Sequence, residues 1–156
     1  MTKGALPEGL RRARLADIAS MSDLLGELFG IETDFETRPE RQRAGLRALL
    51  RGKGRHAIVA EEDGAVVGMA TLQVLVSTAE GGPVGLVEDV IVCSHYRGRG
   101  IGGKLIAGLE GIARREGLLR LQLLADERNA PAARFYGGSG WTMTNMRAWK
   151  KLTRNC

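Results

Sequence analysis

The sequence predicts an α/β fold: a single domain over residues 1–156, with a mixed, mostly antiparallel central sheet flanked by helices in the order β-α-α-β-β-β-α-β-α-β. Two observations carry that expectation. The middle of the chain, HAIVAEEDGAVVGMATLQVLV, reads as two strands meeting at Asp63-Gly64, the strongest hairpin signal present, and a third strand follows to make an antiparallel meander. Beyond it, strands over 86–93 and 118–124 enclose one helical stretch, the arrangement of a parallel crossover. The length of 156 residues suits one domain that buries roughly two thirds of its unfolded surface.

Taken in order, RRARL (11–15) is a short opening strand. Asp17 is placed to cap a helix to about Phe29, because Ile18, Met21, Leu24, Leu25 and Leu28 recur near the helical period. An acid-rich turn, ETDFETRP, separates it from a second helix opened by Pro39 and carrying Leu46, Leu49 and Leu50. After the hairpin, STAEGGP turns the chain into the third meander strand, GLVEDVIVC. A glycine-rich loop leads into a helix at about 102–116, with Gly117 placed to end it in left-handed backbone. LLRLQLLAD is the next strand, Asn129 caps a short helix (APAARFY), and WTMTNMRAWKKL is read as the closing strand.

Composition narrows the function. Apolar residues make up 44% and charged residues 26%, ordinary for a globular chain, and no apolar run approaches the roughly 18–20 residues that cross a membrane. No secretory leader pattern opens the sequence, so a cytoplasmic protein is expected. Lys and Arg total 23 against 18 acids, a net +5 that suits an anionic partner. Aromatic content of 4% and the lack of aromatics between Arg11, Arg12 and Arg14 argue for a solvated strand edge there, not a nucleic-acid surface. Two cysteines and two histidines without ligand spacing give no expected metal centre.

The most informative stretch is Tyr96-Arg97-Gly98-Arg99-Gly100-Ile101-Gly102-Gly103-Lys104. Glycines between a strand and a helix let backbone N–H groups converge on an anion, and Arg97, Arg99 and Lys104 add positive charge. Three known patterns overlap on it. Gly98-x-Gly100-x-x-Gly103 matches a dinucleotide fingerprint, with Asp126 at a suitable distance, but four residues separate the strand from the first glycine and too little chain follows for a doubly wound sheet. Gly98-x4-Gly103-Lys104 matches a Walker A loop until Leu105 replaces the required hydroxyl residue. Arg97-Gly98-Arg99-Gly100-Ile101-Gly102 fits R/Q-x-x-G-x-G/A, and with VEDVIV before it and NAPAARFYGGSGW after it the chain resembles the GNAT superfamily of N-acetyltransferases over about residues 11–149.

The resemblance implies acetyl-coenzyme A as cofactor, its pyrophosphate on residues Arg97, Gly98, Arg99, Gly100, Ile101, Gly102, Gly103 and Lys104. It further implies that backbone groups of Val90, Ile91 and Val92 line the pantetheine arm and that Asn129 bonds it, although Asn129 equally suits a helix cap. Tyr136 matches the family tyrosine that protonates the departing thiolate, and a phenol of pKa near 10 suits that role; the alternative is that Phe135 and Tyr136 pack the short helix. Glu88 is the expected general base, with a salt bridge or a water chain as alternatives. Neighbouring strand residues point to opposite faces, so only one of Glu88 and Asp89 is expected to address the acetyl group.

The acceptor implied is a primary amine of a small molecule, attacked directly; the alternatives are a protein or peptide amine, or a coenzyme A-binding module without turnover. Glu32, Asp34 and Phe35, in the turn between the first two helices, are expected to draw in a cationic amine, with an exposed acidic turn as the plain alternative, and Asp89 is the further residue expected to meet it. Two departures from the family pattern stand out. Cys93-Ser94-His95 lacks the proline common after this strand, and Gly137-Gly138-Ser139 follows Tyr136 where bulkier residues are usual. Trp141, Met143, Met146 and Trp149 are compatible with a homodimer or with a monomer core.

Overall fold

The computed structural model describes residues 5–32 and 34–153, which leaves Thr33 of the acidic turn and Cys156 outside the described residues. The chain forms two compact units, Met1–Leu123 and Leu124–Cys156. The first contains β1 (Leu10–Arg12), α1 (Ile18–Ile31), α2 (Pro39–Arg51), β2 (Arg55–Glu62), β3 (Ala65–Ser77), β4 (Gly82–Val92), α3 (Ile101–Glu116) and β5 (Leu121–Leu123). The second contains α4 (Ala130–Gly138).

The strands form one sheet in the order β1-β2-β3-β4-β5. All neighbours are antiparallel except β4 and β5, so the meander and the crossover through α3 are both present. Asp63 and Gly64 take φ of 48° and 79°, the paired left-handed backbone of a two-residue type I′ turn, and Glu62 pairs directly with Ala65. Gly117 ends α3 at φ 67°, its N–H reaching the carbonyls of Ala113 and Arg114.

Alternation along the strands sorts the core into two layers. Ala57, Val59, Met69 and Ile91 pack under α1 (Ile18, Met21, Leu24, Leu25, Leu28) and Leu46 of α2, with Cys93 against their edge. Ile58, Ala70 and Leu72 occupy the intervening positions and are fully buried, as are Leu105, Leu109 and Ile112 of α3. Close approach of α3 depends on two glycines. A Cβ on Gly108 would stand 2.9 Å from Ile58 Cδ1, and one on Gly68 would stand 3.2 Å from the Ile91 carbonyl.

Two local expectations are corrected. Asp17 stands at the N-cap position of α1 as expected, but its side chain makes no capping bond to that helix. Its carboxylate instead accepts two bonds from Arg11, at 2.8 and 2.9 Å, and one from the Arg14 N–H at 2.7 Å. Arg11 also holds Glu61 at 2.7 Å, so it is a part-buried tie between β1, β2 and the start of α1, not a solvated edge. The Arg11 bonds hold the Asp17 carboxyl below its ordinary value. The sign follows: a depressed carboxyl stabilises the fold above about pH 4 and loses that contribution as pH falls through its folded-state value. Asp17→Asn is expected to cost about 1–3 kcal/mol at pH 7. Thermal unfolding checks this, and the deficit should shrink toward pH 2; an unchanged deficit there would assign the loss to packing.

The second correction concerns the C-terminal segment. No strand follows α4 among the described residues. Met143, Met146, Trp149 and Leu152 are exposed, so this stretch gains no burial within its own unit that would fix it as a strand. Within that unit Asn129 caps α4 as expected, its Oδ1 accepting from the Ala132 N–H at 3.2 Å.

Candidate active site

A β-bulge in β4 creates the site. Ala70 pairs with Val90 and Leu72 pairs with Val87, so Glu88 and Asp89 together oppose the single residue Thr71. Counting forward from Leu86 puts Glu88 on the α1–α2 face, and counting back from Ile91 puts Asp89 there too. The expectation of opposite faces is therefore overturned, because the extra residue resets the alternation between them. Both carboxylates line one groove of about 390 Å³ with Leu25, Phe29, Leu46, Leu49, Arg55 and Gln73.

The two acids are not equivalent. Glu88 is exposed, whereas Asp89 is half-buried. Thr71, fully buried, donates from Oγ1 to Asp89 Oδ2 at 2.8 Å and accepts from the Asp89 N–H at 3.1 Å. Burial pushes the Asp89 carboxyl up to about 6, helped by the Glu88 charge and opposed by the Thr71 bond. A carboxylate in that range accepts a proton near neutral pH far better than an ordinary aspartate.

Beyond the bulge, β4 loses one neighbour. β5 pairs only with Gly85, Leu86 and Val87, so the edge of Glu88–Val92 that would face β5 has no strand partner. Ile91 is buried under α1, and Val90 and Val92 are half-buried on the α3 face. The strand then runs through a turn at Ser94–Tyr96 into the glycine loop. Gly98 and Gly100 take φ of 75° and 79°, and a Cβ on Gly98, Gly100 or Gly103 would meet open space. Gly100 is the N-cap of α3 and offers no side-chain acceptor, while the Lys104 N–H already bonds the Gly100 carbonyl at 3.1 Å. The N–H groups of Ile101, Gly102 and Gly103 therefore lack helical partners, and with the room above them they fit a pyrophosphate.

The loop cations are positioned by the chain itself. Arg97 donates from Nε to the Val92 carbonyl at 2.9 Å and lies 3.5 Å from Glu27, which also accepts the Ser94 N–H at 3.0 Å. Arg99 bonds the His95 carbonyl at 3.2 Å and stacks over Tyr96 at 4.9 Å. Glu27 as the anchor between α1 and this loop was not evident in the sequence, since nothing local marks a helix-face glutamate as a partner for residues 67 positions away.

A family model described as acetyltransferase (GNAT) family matches residues 18–141. The chain belongs to the GNAT family. It is 30% identical over 143 residues to an aminoalkylphosphonate N-acetyltransferase of Salmonella typhimurium, covering 92% of this chain and 90% of that one. It is 32% identical over 129 residues to a glucosamine 6-phosphate N-acetyltransferase of Trypanosoma brucei, covering 78% and 82%. The crystal structure of an acetyltransferase from Trypanosoma brucei superposes with a TM-score of 0.73 at 30% identity, covering 92% of this chain and 98% of that one. The protein is thus an acetyltransferase, of a family that draws its acetyl group from acetyl-CoA.

The remaining expected GNAT residues are placed as follows. Tyr136 lies on α4 in the second unit, its ring 5.1 Å from Phe135 and 5.9 Å from Trp141. In the first unit, Glu32, Asp34 and Phe35 do not line the groove. Phe35 reaches its rim indirectly, its ring 5.3 Å from that of Phe29. Glu36 of the same turn is taken by Arg38 at 2.9 Å. Sequence reasoning missed two groove residues, Arg55 and Gln73, and the fully buried Thr71 that bonds Asp89 from behind. Thr71 carries a faint signal, a lone hydroxyl in an apolar strand, whereas Arg55 and Gln73 look like ordinary strand polar residues until the register sets them opposite each other.

Proposed function

We propose that the protein transfers acetyl from acetyl-CoA to the primary amine of a small molecule by direct attack, residues 1–156 working as one N-acetyltransferase domain. The observation that carries the reading is the β4 bulge, which aims two carboxylates into one groove beside the unpaired stretch of the same strand. The groove of about 390 Å³ has room for a small amine. The relatives' names point the same way, to an aminoalkylphosphonate and an amino-sugar phosphate.

Acetyl-CoA, when bound, supplies the activated acyl carbon and a thiolate leaving group. The N–H groups of Ile101, Gly102 and Gly103, with Arg97, Arg99 and Lys104, hold its phosphates, and the free edge of Val90, Ile91 and Val92 pairs with its pantetheine arm. Asp89 accepts a proton from the ammonium, freeing the nitrogen lone pair, and exposed Glu88 attracts the cation at the groove mouth. When acetyl-CoA is bound, the nitrogen would displace the thiolate from the acyl carbon and give its second proton to solvent, Tyr136 would protonate the departing sulfur and be reprotonated from water, and Asp89 would return its proton to solvent. Asn129, whose carboxamide makes only its capping bond among the described residues, would contact the arm with its amide N–H.

Calorimetric titration with acetyl-CoA, with NADH and ATP as controls, followed by thiol-release assays on a panel of amines, tests the reading. Micromolar binding of acetyl-CoA alone, with thiol release that depends on an amine, is expected. Binding of NADH in its place, or acetyl-CoA binding without turnover of any amine, would overturn it.

A further inference from the structure

The groove that carries the carboxylates also carries an unneutralised cation at its other end. Arg55 begins β2 directly across from Gln73 of β3, and Gln73 lies across from Leu86 of β4, two residues before Glu88. All three share the α1–α2 face with the acids. Two strand spacings, ~10 Å of backbone, separate Arg55 from β4.

Arg55 is exposed, yet one end of its guanidinium is tied to the chain. Its Nη1 donates to the Ala48 carbonyl of α2 at 2.9 Å, and no carboxylate pairs with it among the described residues. Its side chain lies across Gly52, where a Cβ would collide with it. Gln73 is half-buried in the same groove, and its carboxamide makes no hydrogen bond among the described residues. A half-buried amide with no partner among the described residues and an exposed guanidinium with no counter-ion among them, on neighbouring strands, form a donor set open to an incoming acceptor.

We infer that the acceptor is an amine that also carries an oxyanion (phosphonate, phosphate ester or carboxylate), with Arg55 and Gln73 binding the oxyanion while Glu88 and Asp89 face the amine. This rests on the reading of the groove as the acceptor site. The free Nε and Nη2 edge of Arg55 offers two parallel donors to two oxygens, and Gln73 offers a third donor from the adjacent strand. Leu25, Phe29 and Leu49 give the same groove an apolar wall. Arg55 is thus a specificity residue and takes no part in proton transfer.

The test compares kcat/KM for 2-aminoethylphosphonate, β-alanine and n-propylamine, in the wild type, Arg55→Gln and Arg55→Lys. The wild type should prefer the anionic amines by at least tenfold, chiefly through KM, and the ranking of phosphonate against carboxylate names the oxyanion. In Arg55→Gln that preference should collapse toward one, and Arg55→Lys should restore part of it. Equal use of the three amines by the wild type overturns the inference while leaving acetyl transfer standing. A parallel loss on all three amines in Arg55→Gln, with preference intact, would make Arg55 merely structural and also overturns it. Failure of every amine with acetyl-CoA bound sinks the reading of the groove itself. Gln73→Leu is the second variant if Arg55→Gln does not fold, and it should lower the same preference.

Discussion

Replacing Asp89 by Asn is expected to lower kcat/KM by about 10²–10⁴-fold, the usual contribution of a positioned general base, while making the fold more stable at neutral pH. Both effects come from one feature, a carboxyl raised to about 6 by burial on the bulge. For activity, kcat/KM of the wild type should rise with pH through about 6 and then level, because the base works only when ionised. Glu88→Gln removes a charge that raises the Asp89 carboxyl, so it should move that rise to lower pH without abolishing it. If Glu88→Gln instead carried the larger loss, the proton would belong to Glu88.

For stability the sign is opposite to that of Asp17. The unfolded chain ionises Asp89 near pH 4, the folded chain only near 6, so the folded state holds a proton that the unfolded state has released. Stability therefore falls as pH climbs from about 4 to about 6 and stays lower above it, by up to roughly 3 kcal/mol for two units. Asn keeps the shape and can still accept from Thr71, but has no charge to bury. The variant's Tm should exceed that of the wild type by a few degrees at pH 8 and match it at pH 4. A variant less stable at pH 8 would show that the carboxylate is satisfied in a way the Thr71 bond alone does not explain.

The bulge also explains where the sequence stops being readable. Helices with a strong apolar period, the Asp63-Gly64 hairpin and the Gly117 stop were legible because each is set by neighbours within a few residues. The site was only partly so. The glycine loop is a local signal and was found. Which face Glu88 and Asp89 occupy depends on register with β3, a relation between residues about 18 positions apart that alternation alone reads wrongly. Asp17 holds the N-cap position of α1 without bonding it for a similar reason: Arg11 and the Arg14 N–H take the carboxylate oxygens, and a bidentate charged pair outweighs a neutral capping bond. The acidic turn drew attention by composition, yet composition does not say that the groove wall there is Phe29 and that Phe35 stands behind it. Arg55 and Gln73 left no local mark at all, because their meaning is that they face each other across a strand pair.

The glycine loop yields the second large effect, and three of its four glycines, at 98, 100 and 103, fall into two classes of expected behaviour. Gly98 and Gly100 stand at φ of 75° and 79°, where an alanine costs about 1–2 kcal/mol of backbone strain each. A Cβ at either meets open space, so the strain, not a clash, is the whole internal penalty. The Gly98→Ala and Gly100→Ala double variant should therefore remain folded with Tm lowered by several degrees, and should bind acetyl-CoA at least tenfold more weakly, because the re-aimed backbone no longer presents its N–H groups to the phosphates. Gly103 is the control. It lies inside α3 with ordinary helical backbone and open space around it, so Gly103→Ala should stabilise the free protein by up to about 1 kcal/mol. If acetyl-CoA nevertheless binds more weakly to that more stable variant, the glycine is present because the ligand passes within reach of its missing side chain. Unchanged affinity would shift the phosphates away from the first turn of α3 and onto Arg97 and Arg99. Calorimetry on the two variants, with thermal unfolding in the absence of cofactor, separates strain in the chain from space left for the ligand.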